Sequence, residues 1–434
     1  MAARAQSSHV PAALAALPAR DDNAAMTPLS ARLSLAFSSL GHTYAHLVMM
    51  LWPTVVLVLE RQWHTSYAEL LPLAVAGQVL FGAGALPAGW LGDRWSTTGM
   101  MVVFFIGTGF ATVATGFAQT PWQLGLGMAL MGLFGSIYHP VGMAWLVRNA
   151  VNRGRALGVN GLFGSIGVGS AALIAGALSD LFSWRFAFFV PGAACALTGV
   201  ALWLLMREGF VAAPLTDLKP QRAAPRGDVV RAFWVLSLTM VAAGLVSQAA
   251  TIALPKLFEG VAAGLGAGGS STTSVGALVA LVYCGTALAQ LVGGHLADRF
   301  AMKPLYVLSY LLQAPFLALV VGLSGLPLVG AIAIAMAVQV AATPVENGLL
   351  ARYTPGRWRA TAYGAKFVLT ITVSAGSFPL VAAIYARAGD VSALFGVLAL
   401  LSAGVALIAL LLPRERADDA AEAVPAHPAP GTAD

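Results

Sequence analysis

The stretch GWLGDRW, residues 89–95, has a near-copy in GHLADRF, residues 294–300, and each breaks into sequence that is apolar on both sides. Gly89, Asp93 and Arg94 in the first copy match Gly294, Asp298 and Arg299 in the second, an offset of 205 residues. A longer pair repeats the offset to within one residue. YHPVGMAWLVRNAVNRGRALG, from Tyr138, aligns with ATPVENGLLARYTPGRWRATAYG, from Ala342, and sets Arg153 and Arg155 against Arg357 and Arg359. More weakly, His46 and Gln248 each stand seven residues before a proline, Pro53 and Pro255. Two markers with nearly one offset divide the chain into two halves of the same orientation.

Composition says what the halves are made of. The 434 residues are 58% hydrophobic and only 10% charged, with a mean hydropathy of +0.79, whereas a soluble domain carries about 25% charged residues. Runs such as VVFFIGTGFATVATGFA, residues 102–118, are continuously apolar. Membrane strands would alternate over segments of about ten residues, while a helix crossing the bilayer needs about 20 apolar residues in a row. The chain therefore reads as an all-α polytopic membrane protein with twelve transmembrane helices in two pseudo-symmetric six-helix bundles. The spans are expected near 33–59, 68–91, 100–118, 122–147, 156–180 and 184–206, then 231–257, 274–297, 303–323, 327–350, 360–386 and 391–413. Residues 207–230, polar and proline-bearing, read as a cytoplasmic linker between the bundles 33–206 and 231–413. Residues 1–32 and 414–434, rich in Ala and Pro, read as disordered cytoplasmic tails, and either Met1 or Met26 serves as the start.

Charge orients the bundle. Of the 24 Lys and Arg residues, 19 fall in the tails, the linker and the loops after spans 2, 4, 8 and 10. The other face holds Arg61, Arg185, Lys256 and Arg387, and Lys366 lies inside a span. Basic residues resist translocation, so both termini are expected in the cytoplasm, in a multi-pass membrane protein. Trp63, Trp95, Trp122, Trp184, Trp234 and Trp358 fall near span ends, where indoles anchor at the headgroups. The net charge of +6 follows this topology, and no nucleic-acid partner is expected. Cys195 and Cys284 both sit in apolar runs, which argues against a disulfide framework or a thiolate metal site.

Ionisable groups inside spans cost about 2.5–3.5 kcal/mol each at a helix centre, so each one is a functional suspect. His42 and His46 are one turn apart on the first span with Tyr44 between them, and His139 lies at similar depth on the fourth. They are either hydrogen-bonded core histidines or a pathway for protons or substrate. Histidines four apart can chelate, but no acid or thiol joins them on that helix, so neither a metal site nor a cofactor is expected. Glu346 and Asn347 on the tenth span and Lys366 on the eleventh either pair or bind a charged solute. Gln248, Gln290, Gln313 and Gln339 line the path or join helices, the latter being the plainer role. Gly158, Gly161, Gly164, Gly167 and Gly169 crowd the fifth span, where small residues permit close packing.

With its paired G-x-x-x-D-R loops the chain resembles the major facilitator superfamily over about residues 33–413. The resemblance implies that Asp93, Arg94, Asp298 and Arg299, with Gly89, Gly294 and the following arginines Arg153, Arg155, Arg357 and Arg359, form a cytoplasmic gate. GHTYAH, from Gly41, and YHPVG, from Tyr138, resemble the G-H-x-x-x-D and F-H-P-E-G patterns of the fosmidomycin-resistance branch of drug exporters. Here His46 and Val141 replace the two acids, and the fifth span lacks the superfamily's Gly-Pro antiporter pair.

The expected function is secondary active transport of a small organic solute, as proton-coupled efflux (proton antiport) by a monomer in the lipid bilayer. Rocking the halves about a central site gives alternating access. The alternative is proton-coupled uptake of a small organic anion, attracted by His42, His46, His139 and Lys366. No Walker-type loop supports an ATP-driven pump, no catalytic constellation supports an enzyme, and a signalling or scaffold role on the same fold is the remaining class.

Overall fold

The structure, a computed structural model, describes residues 28–150, 153–211, 226–266, 271–354 and 359–413. Twelve helices among them are long and apolar enough to cross a membrane. In chain order these spans are 1 (Leu29–Trp63), 2 (Tyr67–Arg94), 3 (Thr97–Gly116), 4 (Pro121–Asn149), 5 (Ala156–Leu181) and 6 (Phe186–Arg207). The second half adds 7 (Gly227–Gly264), 8 (Thr272–Arg299), 9 (Met302–Val320), 10 (Gly325–Leu350), 11 (Ala365–Ala388) and 12 (Ser392–Ala409). The described residues contain no strand, so the all-helical, two-bundle expectation holds.

Several boundaries move. The first helix, Pro28–Met50, takes in residues 28–32 of the stretch read as tail. The helix Arg226–Gly264 takes in residues read as linker and carries Asp228 in its first turn, where a negative charge suits the helix dipole. Its far end also runs past the expected stop at residue 257, so Glu259 as well as Lys256 lies within the helix. Residues 1–27, 212–225 and 414–434 lie outside the described residues. Trp122 and Trp234 are exposed at span ends, as anchors should be, but Trp184 is buried against Trp63 and Phe188. Trp358 lies outside the described residues.

Spans 1, 2, 4 and 11 are not single rods. Span 1 bends at Leu51, ahead of Pro53 in the first turn of the next segment. Span 4 holds a π turn, Tyr138–Gly142, with Pro140 inside it. Proline cannot donate to the helix ladder and its ring crowds the preceding turn. The wider π turn accommodates both demands, and such turns recur at functional sites.

The packing of span 2 on that turn explains the glycines of GWLGDRW. A Cβ on Gly89 would stand 3.2 Å from Pro140 Cβ, and one on Gly92 would stand 2.9 Å from Val141 Cγ2. In the second half the core is stitched by buried amides. Gln313 Nε2 donates to Gln339 Oε1 (2.8 Å), Gln339 Nε2 to the Ala243 carbonyl (3.0 Å), and Ser402 Oγ to Gln313 Oε1 (2.9 Å). Gln313 and Gln339 therefore join spans 7, 9, 10 and 12.

The halves meet along spans 5 and 8. A Cβ on Gly276 would lie 2.3 Å from the Ala172 carbonyl oxygen, one on Gly176 2.4 Å from the Thr272 oxygen, and one on Gly169 2.6 Å from Tyr283 Cβ. The other face of span 5 lies on span 1, where Gly167 abuts the Thr43 backbone and Gly164 the His42 ring. One glycine-rich helix thus lies against both halves.

Candidate functional site

Three histidines converge where span 1, the π turn of span 4 and span 5 meet. One ring nitrogen from each of His42, His46 and His139 lies within 4.8 Å of the other two. His46 Nε2 is 3.1 Å from His42 Nε2. His42 Nδ1 lies 2.7 Å from the Asn160 backbone oxygen, which can only accept, so Nδ1 carries the proton. Nε2 of an uncharged His42 is then a lone-pair site, and His46 Nε2–H donates to it. His139 is buried, and its Nε2 has no hydrogen-bond partner.

Local structure fixes these rings. The i, i+4 spacing puts His42 and His46 on one face of the first helix. A Cβ at Gly164 would stand 2.6 Å from His42 Cε1, so glycine there leaves room for the ring. Tyr138 stacks on His42 at 5.0 Å and receives a hydrogen bond from Asn160 Nδ2 at 2.8 Å. Phe367, from span 11 of the other half, stacks on His139 at 4.8 Å, with a ring angle of 18°. Both halves therefore touch the cluster. Asn160, Tyr138 and Phe367 escaped sequence reasoning; a single Asn within a glycine-rich helix was the signal for Asn160.

Other expected site residues lie apart from this cluster. Tyr44 points to span 6, its hydroxyl 3.3 Å from Thr198 Oγ1. Gln248 is half-buried, with its amide nitrogen unpartnered. Glu346 and Lys366 form an interior ion pair at 2.7 Å, with side chains only 10% and 9% exposed. Tyr306 donates to the same carboxylate at 2.9 Å, and Lys366 to Asn347 Oδ1 at 2.7 Å. The geometry thus favours the pairing alternative for these two charges.

The residues expected at the gate make local contacts. Asp93 accepts from Arg148 Nη2 of the same half at 3.2 Å, and Arg94 lies over the Trp90 ring at 4.3 Å. Asp298 and Arg299 end span 8, exposed. Arg153, Arg155 and Arg359 begin helices, but their side chains, like the whole of Arg357, lie outside the described residues.

Among the described residues, the ion pairs that cross between halves lie at the opposite end. Lys256 Nζ reaches Glu60 at 2.7 Å and its own neighbour Glu259 at 2.8 Å, while Arg61 reaches Glu259 at 3.2 Å. Asp180 of span 5 accepts from the backbone N–H of Thr272 and Thr273 at the start of span 8. Sequence alone could not make the pairs that cross the halves, because their partners are 92 to 198 residues away.

Comparison with known proteins agrees with the architecture. The family model described as Major Facilitator Superfamily matches residues 39–269 and 236–430. Among curated relatives, a multidrug resistance protein MdtG of Yersinia enterocolitica is 33% identical over 168 residues, 38% of this chain and 40% of its own length. Another MdtG, of Enterobacter lignolyticus, is 31% identical over 30% of this chain and 32% of its own. The puromycin resistance protein pur8 of Streptomyces alboniger is 32% identical over 33% and 28%. The matches thus span about a third of these relatives' length. A bacterial homologue of the lysosomal transporter Spinster, solved in an inward-facing, unoccupied conformation, superposes with a TM-score of 0.68 at 17% identity, covering 92% of this chain and 97% of that one.

Proposed function

We propose that this chain, which belongs to the major facilitator superfamily and is therefore a membrane transporter and not an enzyme, exports a small organic solute in exchange for protons. The observation that carries the reading is the histidine cluster itself. His42, His46 and His139 sit in the apolar interior, within reach of one another and touched by both halves. Imidazole is the side chain whose charge changes in the physiological pH range, so a site between moving halves can take up a proton facing one side and release it facing the other. The D-R motifs, which form the last turns of spans 2 and 8 and not loops, sit on the cytoplasmic face of a bacterial inner membrane, and the Glu60–Lys256–Glu259–Arg61 group on the outer one. The printed names of the relatives, multidrug and puromycin resistance, support export of organic cytotoxic compounds.

The test is accumulation of labelled puromycin and of a fosmidomycin-like phosphonate in an efflux-deficient bacterium expressing the chain, beside His46→Gln and His139→Gln variants. Wild type should accumulate less than the empty host, and an uncoupler or either variant should abolish the difference. Accumulation above the host level would reverse the direction to uptake. A difference insensitive to the uncoupler would remove the proton from the cycle.

A further inference from the structure

We propose that His42, His46 and His139 form a binding site for a divalent first-row transition cation, with a fourth position open to an anionic oxygen donor. Sequence reasoning set a metal aside because no acid or thiol joins His42 and His46 on the first span. The π turn of span 4 delivers the third ligand.

The donor set is of one kind. Three imidazoles suit Zn²⁺, Co²⁺ or Ni²⁺, whereas Mg²⁺ and Ca²⁺ require hard oxygen ligands. Three protein nitrogens with an open fourth position is the arrangement of zinc sites that keep a water or substrate. Tetrahedral coordination at Zn–N distances near 2.05 Å places ligand nitrogens about 3.3 Å apart. His42 and His46 already stand at 3.1 Å, and the spread of 4.8 Å across all three closes through side-chain rotation.

The surroundings are those of a ligand. His42 Nδ1 hydrogen-bonds to the Asn160 carbonyl, the outer contact that fixes tautomer and ring plane in metal-ligating histidines. His42 Nε2 is thereby presented as a lone pair. His46 needs only to move its proton from Nε2 to Nδ1, a change within one ring that leaves its charge unaltered. His139 Nε2, buried and without a partner, is a polar atom that a cation would satisfy. The rings of Phe81, Tyr138 and Phe367 surround it and keep bulk water from competing.

Charge predicts the fourth ligand. No acid or thiol is in the cluster, and Glu346 is committed to Lys366 and Tyr306. A bound cation would therefore keep its double charge in an apolar interior, and an anion completing the shell would offset it.

The test uses the full-length, tag-free protein in lipid nanodiscs, with no gradient and no organic solute, so it is independent of the transport reading. Titration with Co²⁺ should give one equivalent of tetrahedral visible absorption, displaced by Zn²⁺ and shifted by azide at the open position. His46→Gln and His139→Gln should each weaken binding at least about tenfold, the lower bound seen when even outer contacts of metal ligands are lost. His9, His64, His295 and His427 remain in the triple variant lacking all three, so Co²⁺ absorption surviving there would overturn the proposal. Because variants can misfold, Zn²⁺ is also added to wild type alone. A rise in Tm supports the site, and no rise together with no Co²⁺ bands rejects it. Co²⁺ binding without export in cells would support the site while rejecting the export reading.

Discussion

Asp180, at the end of span 5, caps a helix in the other half of the molecule: its carboxylate accepts from Thr273 N at 2.7 Å and from Thr272 N at 3.3 Å, with the Ser271 and Thr273 hydroxyls added. N-terminal N–H groups of a helix have no partner within it, and a negative charge there also suits the dipole. A cap that crosses from one half to the other therefore stabilises the contact as well as the helix. Asp180→Ala should cost about 0.5–2 kcal/mol, as cap losses do, and shift the population toward outer-end separation. Spin labels at the exposed positions Phe182 and Leu265, with Cys195 and Cys284 replaced, should show longer and broader distances. An unchanged distribution would reject the cap as a tie.

The ionic group beside it is stronger per contact. Lys256 is 14% exposed and serves both Glu60 and Glu259. Lys256→Gln leaves those carboxylates close together without a shared cation. We expect a loss of about 1–3 kcal/mol, between the values for exposed and buried pairs. The Lys256→Gln, Glu60→Gln double variant should recover part of it in thermal unfolding. A double variant as unstable as the sum of its singles would show no coupling.

Lys366→Met should be the more damaging change, since it strands the Glu346 carboxylate in the interior. Breaking a buried pair costs about 3–5 kcal/mol, while replacing both members by apolar residues is often neutral. Tm should therefore fall far less in the Glu346→Met, Lys366→Met double variant. If that double variant also loses export with its Tm intact, the pair belongs to the substrate path.

Gly164→Val presses on His42, whereas Gly132→Val meets a backbone oxygen of Gly77 that would stand 1.9 Å from the new Cβ. A ring can rotate and a helix backbone cannot. We expect Gly164→Val to retain a monodisperse, folded protein with export reduced at least about tenfold, the size of loss seen when the contacts that orient a site histidine are disturbed. Gly132→Val should fail to fold. Size-exclusion profiles and export assays separate the two outcomes.

Asp93→Asn removes an exposed pair with Arg148, with side chains 71% and 42% exposed, so stability should change by no more than about 1 kcal/mol. A loss of export with unchanged Tm would place Asp93 in the transport cycle; unchanged export would confine it to topology.

The twelve spans, their pairing into halves and the facing of His42 toward His46 were legible in the sequence, because length, hydropathy and helical spacing are local properties. His139 was legible as a group at matching depth. That depth lets it share a cavity with the other two, and the structure brings the three together; the π turn around Pro140 that presents it was not legible, since no periodicity announces it. The outer ties were invisible for a different reason. Glu60, Arg61, Asp180, Lys256 and Glu259 look like ordinary span-end charges until tertiary structure opposes them. In the sequence Lys256 counts only toward the charge bias between the two faces.

Span 5 lies against span 8 through Gly176 and Gly276, where backbone approaches backbone, and through Gly169, which faces the Tyr283 side chain. Such a seam works much as a bearing: at the two backbone contacts sliding withdraws no knob from any hole. Resistance to sliding then falls more to the end of the seam, to Asp180 and the Glu60–Lys256–Glu259–Arg61 group. Exposed ionic contacts weaken with ionic strength and partly buried ones much less, so the Arg61–Glu259 pair, the more exposed of the group, should loosen first as salt rises.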